Sequence, residues 1–159
     1  DQFHLISDRW HYAILNLINT KGFKPLPSWI SERLGLSLKV THEAWERLFR
    51  LGHIKKQGQK IVRAYPRLDT TDDIINMSVQ KAHIEDTKLI EQSLREIPLQ
   101  YRDHTSMTMV MNKKDLAKAK ELVRLFQDKM SNEVEVKTGD EVYRLSIALF
   151  PLTKITEKK

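Results

Sequence analysis

The sequence predicts an α+β protein in three parts. Residues 1–67 read as three short helices and a hairpin, 68–98 as a long linking helix, and 99–159 as a β-α-β-β unit. Three observations predict this. Apolar residues recur at helical spacing up to Leu51, two short runs then flank a glycine turn, and the last third alternates between period 2 and period 3.6.

Ser7-Asp8 offers an N-cap for the first helix, along which Trp10, Ala13, Ile14, Leu17 and Ile18 share a face until Lys21-Gly22. Pro27 suits a first helical turn, and Trp29, Ile30 and Leu34 form a short second stripe ending at Gly35. Ser37 caps a third helix, with Val40, Ala44, Leu48 and Leu51 as its apolar face and Gly52 as its stop. Trp45 and Phe49 widen that face, either against the linking helix or toward another protein.

His53 to Lys56 and Gln59 to Tyr65 read as strands around the turn Gln57-Gly58. Pro66 and the polar stretch 69–73 mark a boundary, with Thr71 or Asp72 capping a helix from Ile74 to about Ile97, which Pro98 ends. Thr105 to Met111 alternates, placing Met107, Met109 and Met111 on one face, where core packing is the default and an apolar ligand pocket the alternative. Lys113 to Met130 is helical, Glu133 to Lys137 alternates, Thr138-Gly139-Asp140 turns, and Tyr143, Leu145, Ile147 and Leu149 line a final strand.

Charge is distributed unevenly. Residues 47–67 hold Arg47, Arg50, Lys55, Lys56, Lys60, Arg63 and Arg67 and no acid. Residues 1–67 contain 12 Lys/Arg against 5 Asp/Glu, a balance of +7, while 68–159 contain 15 against 16, a balance of −1. Helix followed by basic hairpin is the layout of a winged helix-turn-helix, and phosphate is the matching counter-charge. In that layout the third helix enters the major groove of double-stranded DNA and the wing follows the backbone. Lys39, Thr41, His42, Glu46 and Arg47 are the candidate base readers, and Arg50, Lys55, Lys56, Lys60 and Arg63 the candidate phosphate contacts. Glu43 and Glu46 oppose phosphate on that face, which keeps open a protein-interaction or ligand-sensing module on the same scaffold.

The segment 29–65, with the Gly35–Ser37 turn, Ala44, Leu48 and the exit Leu51-Gly52-His53-Ile54, resembles the winged helix-turn-helix of bacterial transcriptional regulators. Over almost its whole length the chain resembles the C-terminal domain of a bacterial family of uncharacterised regulators. The motifs are ISDRWHYAIL (6–15), YRDHTSMT (101–108) and VYRLSIALFPLT (142–153). The resemblance implies a winged helix and a segment preceding Asp1, which suits a chain that does not begin with Met.

Enzyme chemistry finds no constellation. The histidines at 4, 11, 42, 53, 83 and 104 lack metal-ligand spacing, His83 and Asp86 are better read as a capping or salt-bridge contact than as a metal site, and Arg102-Asp103-His104 as a turn with an Arg–Asp pair. The five glycines are isolated, so no loop cradles a phosphate cofactor. No cofactor or metal is expected. The absence of cysteine suits the cytoplasm, and no apolar run approaches a membrane span or a signal segment. A three-stranded sheet with a free edge, and the two-fold operators such regulators bind, point to a homodimer. The effector, whether small molecule or protein, has no signature.

Overall fold

The computed structural model describes residues 9–65 and 77–155. Ser7-Asp8, Pro66, Arg67, the 69–73 stretch with its proposed cap, and Ile74 lie outside the described residues. The α+β class holds, with helices and one two-stranded antiparallel sheet. The chain divides into two compact units, residues 1–105 with 136–142, and residues 106–135 with 143–159. The long helix therefore belongs to the first unit instead of forming a part of its own.

In the first unit α1 (Arg9–Leu17), α2 (Pro27–Leu34) and α3 (Leu38–Arg50) precede β1 (Ile54–Gln57) and β2 (Lys60–Arg63). The first helix ends ahead of Lys21-Gly22 because Thr20 turns its hydroxyl back onto the Leu17 carbonyl at 2.7 Å. Pro27 opens α2, and at its end the Leu36 N–H donates to the Ser31 carbonyl at 2.9 Å. Ser37 caps α3 by accepting from the Val40 N–H at 3.3 Å. Gly52 then reverses the chain at φ +72°, which lets the His53 N–H reach the Leu48 carbonyl at 2.9 Å. A side chain at position 52 would strain that conformation, because a Cβ crowds the backbone at positive φ.

The core joins Ile14, Leu15, Leu17, Ile30, Ala44, Trp45, Leu48 and Ile54. Its outline corrects the predicted face of the third helix. Thr41, Ala44, Trp45 and Leu48 are the buried residues of α3, whereas Val40 is 38 % exposed. The helix is rotated toward Trp45 because Phe23, in the α1–α2 connection, supplies an aromatic partner. The Phe23 and Trp45 rings lie 6.4 Å apart, Phe23 and Trp29 5.6 Å, and Trp45 and Phe49 5.3 Å. The Phe23–Trp29 and Trp45–Phe49 pairs meet edge to face, and such contacts add about 0.5–1.5 kcal/mol each beyond area burial. Trp45 thus completes the three-helix core and is not turned to the long helix or to a partner.

The hairpin closes through a two-residue loop, since Gln57 pairs with Lys60. Gly58 has φ +62°, as the first loop residue of the primed turns that match strand twist. The fourth helix, α4 (Met77–Glu96), touches α1 and stops before Pro98. Its apolar stripe is mostly solvent-facing, with Ile84, Ile90 and Leu94 all exposed.

The second unit departs from expectation. Among its described residues only α5 (Leu116–Val134), preceded by a short 3-10 turn at Lys113–Asp115, is regular. No strand forms at 105–111 or 142–149, and α5 runs through Val134 into the stretch predicted to alternate. Alternation records a preference for a pleated half-buried surface, which exists only where a neighbouring strand supplies it. The predicted turn at 138–140 is present and is part of the first unit. Gly139 forms a parallel bridge with Thr20, and Lys21 N–H donates to the Gly139 carbonyl at 2.9 Å.

The rotation of α3 has a measurable consequence. Trp45→Ala is expected to cost about 3–5 kcal/mol of unfolding free energy, as for other large core aromatics. Val40→Ala, on the open side, should cost less than about 1 kcal/mol. Equal losses in denaturant titrations would contradict the rotation.

Candidate nucleic-acid interface

With 100° between successive residues, the exposed positions of α3 gather on one edge. Lys39, His42, Glu43, Glu46 and Arg50 lie on it, opposite the buried Thr41, Ala44, Trp45 and Leu48. Two of the predicted base readers are elsewhere. Thr41 is fully buried and its hydroxyl donates to the Ser37 carbonyl at 3.1 Å. Arg47 is half-buried, with Nη1 3.3 Å from Nε2 of the fully buried His11. A guanidinium only donates, so His11 Nε2 is the acceptor and its ring proton sits on Nδ1. Both side chains hold α3 in place instead of presenting it.

The hairpin sorts its charges by register. Lys55 stands opposite Val62, Lys56 opposite Ile61, and Ile54 opposite Arg63. Directly opposed residues share a face of the sheet. Ile54 is buried and Ile61 packs on the core, so the face of Ile54, Lys56, Ile61 and Arg63 turns to the helices. Lys55, Gln57, Lys60 and Val62 form the outer face, and Lys56 remains exposed near the tip. Arg63, expected on phosphate, is half-buried, and its Nη1 donates to Asn16 Oδ1 on α1 at 3.1 Å. It ties the base of the hairpin to the helices.

Two further cations of this half are occupied. Lys21 Nζ lies 2.8 Å from Asp140 Oδ1, and Arg33 Nη2 lies 2.9 Å from Glu141 Oε2. Both acids sit on the turn clipped to Thr20. Exposed pairs like these contribute little stability, about 0–1 kcal/mol each, but they neutralise one side of the unit. Lys39, Arg50, Lys55, Lys56 and Lys60 are exposed, with His42, Glu43 and Glu46 among them. Sequence reasoning missed this clip, since nothing local couples Lys21 to Asp140 across 119 positions.

His53 sits at the junction of α3 and β1. Its carbonyl accepts from the Ala64 N–H at 2.8 Å, and its ring centroid is 6.0 Å from that of Tyr65. Desolvation by burial lowers its pKa below the ordinary histidine value of 6.5. Its Nδ1 is buried without a hydrogen-bond partner. The folded environment therefore favours the neutral ring over the charged one.

The polar cluster after Pro98 also differs from the expected Arg–Asp turn. Arg102 Nε donates to the Ile97 carbonyl at 2.8 Å, capping α4 with a cation where helix carbonyls are unsatisfied. His104 Nε2 lies 3.0 Å from Ser93 Oγ. His83 is exposed and Asp86 buried. Among the described residues no group of three or more His, Asp or Glu side chains is arranged to hold a metal ion. No described helix is long and apolar enough to cross a membrane.

The chain belongs to the family described as a domain of unknown function, DUF4423, whose profile matches residues 1–152. Compared with curated proteins and with solved structures, it matches none.

The partly buried His53 makes stability pH-dependent. The unfolded chain binds this proton near pH 6.5 and the folded chain only at lower pH, so stability falls as pH drops below 6.5. His53→Gln should flatten this acid-side slope in unfolding midpoints taken between about pH 7.5 and 5.5. An unchanged slope would mean that another group carries it.

Proposed function

We propose that the first unit is a winged helix-turn-helix that binds double-stranded DNA, and that the protein is a cytoplasmic transcriptional regulator. In this reading α2 and α3 are the helix-turn-helix and the β1–β2 hairpin is the wing. One observation carries it: the hairpin exposes Lys55, Lys56 and Lys60 and has no acid, while Ile54 and Ile61 turn inward. Three cations on a short, rigid, two-residue-turned ribbon form a spaced counter-charge for a phosphate backbone. Arg50, exposed at the end of α3, continues the strip toward the hairpin.

The roles then divide by position. Lys39 and His42, on the first turns of α3, are the groups placed to meet base edges. Lys55, Lys56, Lys60 and Arg50 hold backbone, which gives affinity without sequence choice. Glu46 stands on the same edge and accepts only from a cytosine amine in such a complex. Thr41, Arg47 and Arg63 act indirectly, through the placement of α3 and of the wing.

A second reading has one observation in its favour. Glu43 and Glu46 occupy the middle of the exposed edge of α3, between Lys39 and Arg50. Alternating charge on an exposed helix edge also suits docking onto another protein. Salt separates the two, because release of condensed counterions makes DNA affinity fall steeply with ionic strength.

Replacing Lys55, Lys56 and Lys60 together with alanine should weaken binding to all duplexes alike. It should also make the slope of log affinity against log salt shallower by up to about 3, at ~0.9 per phosphate contact. Lys81→Ala on α4 is the control and should leave that slope unchanged. A triple variant that binds like the parent would remove the wing from the interface. His42→Ala, by contrast, should change the sequences recovered in a selected-site experiment more than it changes non-specific affinity. An unaltered profile would take base reading away from α3.

A further inference from the structure

The second unit has no interior. Among its described residues, within 106–135 and 143–155, not one is buried. Two extended segments flank α5, and neither belongs to a strand ladder. No main-chain hydrogen bond joins 103–111 or 142–150 to a described residue. Yet both carry alternating apolar side chains, with Met107 77 % exposed and Tyr143 72 % exposed. On α5, Leu122, Phe126 and Met130 repeat every four residues and are exposed as well. A chain segment ordered this way forgoes both the burial and the hydrogen bonds that offset its lost conformational entropy.

We propose that a second copy of this chain completes the unit. Segments 105–111 and 143–149 of the two copies pair edge to edge into one intermolecular sheet, and the α5 helices cover its apolar face. The missing layer is a strand edge and an apolar helix face, and this unit itself displays both. A two-fold axis makes such a surface its own complement and pairs edges of both copies with one operation.

The apolar surface agrees with this: Met107, Leu122, Leu125, Tyr143, Phe150 and Leu152 are all more than half exposed, an apolar area that a partner would remove from water. A lipid surface would cover the side chains but leave the strand N–H and C=O groups unsatisfied. This proposal stands independently of DNA binding and is tested without DNA.

Sedimentation equilibrium over micromolar concentrations should give twice the chain mass of 18.7 kDa. Ile147→Lys, which sets a charge in the middle of the second segment, should return the mass to one chain while the near-ultraviolet signal of Trp29 and Trp45 persists. If that variant loses its tryptophan signal, amide hydrogen exchange on the parent decides. Protection over 105–111 and 143–149 that rises with protein concentration supports pairing between copies. A single 18.7 kDa species at every concentration overturns the proposal, whether its segments are protected by their own chain or open to a foreign strand.

Discussion

The buried face of α3 is the constraint on which the first unit depends. Thr41, Ala44, Trp45 and Leu48 all lie on one side of the helix, and α1, α2 and the first residue of β1 close over them. Burying that side decides what the opposite one displays, because a helix offers one rotation at a time. The same packing sets the hairpin. Ile54 enters the core directly after the Gly52 reversal, so β1 leaves α3 at a fixed angle with its odd and even positions already assigned to inside and outside. Lys55 and Lys60 face out because Ile54 and Ile61 face in.

Polar groups inside the unit act as fasteners on this arrangement. Arg47 reaches His11 and Arg63 reaches Asn16, so two basic residues of the 47–67 run hold α3 and the hairpin to α1. Their stems cover apolar surface while their heads find acceptors. A charge run in sequence is thus two populations in space. One locks the scaffold, and the other stays in solvent where a counter-charge can reach it.

Much of the first unit was legible because its signals are local. Ser37 as a cap, Pro27 at a helix start, Gly35 and Gly52 at helix ends and Gly58 in a two-residue turn each act within a few residues. The rotation of α3 was not legible, since it depends on where Phe23 meets Trp45 across the connection between helices. For the same reason Thr41 passed as a base reader: a hydroxyl near a helix start suits solvent or the preceding carbonyl equally, and only packing separates them. The hairpin residues were easier to place, because period 2 has two outcomes and Ile54 selects one. Arg63 was the exception, its partner Asn16 lying 47 positions away.

The second unit shows the limit from the other side. Its alternation is a real property of Met107, Met109, Met111 and of Tyr143, Leu145, Ile147, yet no strand forms there. A helix satisfies its own backbone, so α5 forms wherever its residues permit, whereas a strand borrows its hydrogen bonds from a neighbour. Completion by a second copy would supply that neighbour, and it would also bear on how the first unit binds. One head offers Lys39, Arg50, Lys55, Lys56 and Lys60 to phosphate while Glu43 and Glu46 oppose it, a combination expected to hold DNA weakly at physiological salt. Two heads joined in one molecule make the second contact intramolecular, and the effective concentration, not the individual head, then sets the affinity. A weakly basic α3 edge is compatible with DNA binding on that condition, and a lone head would favour the protein-docking reading instead.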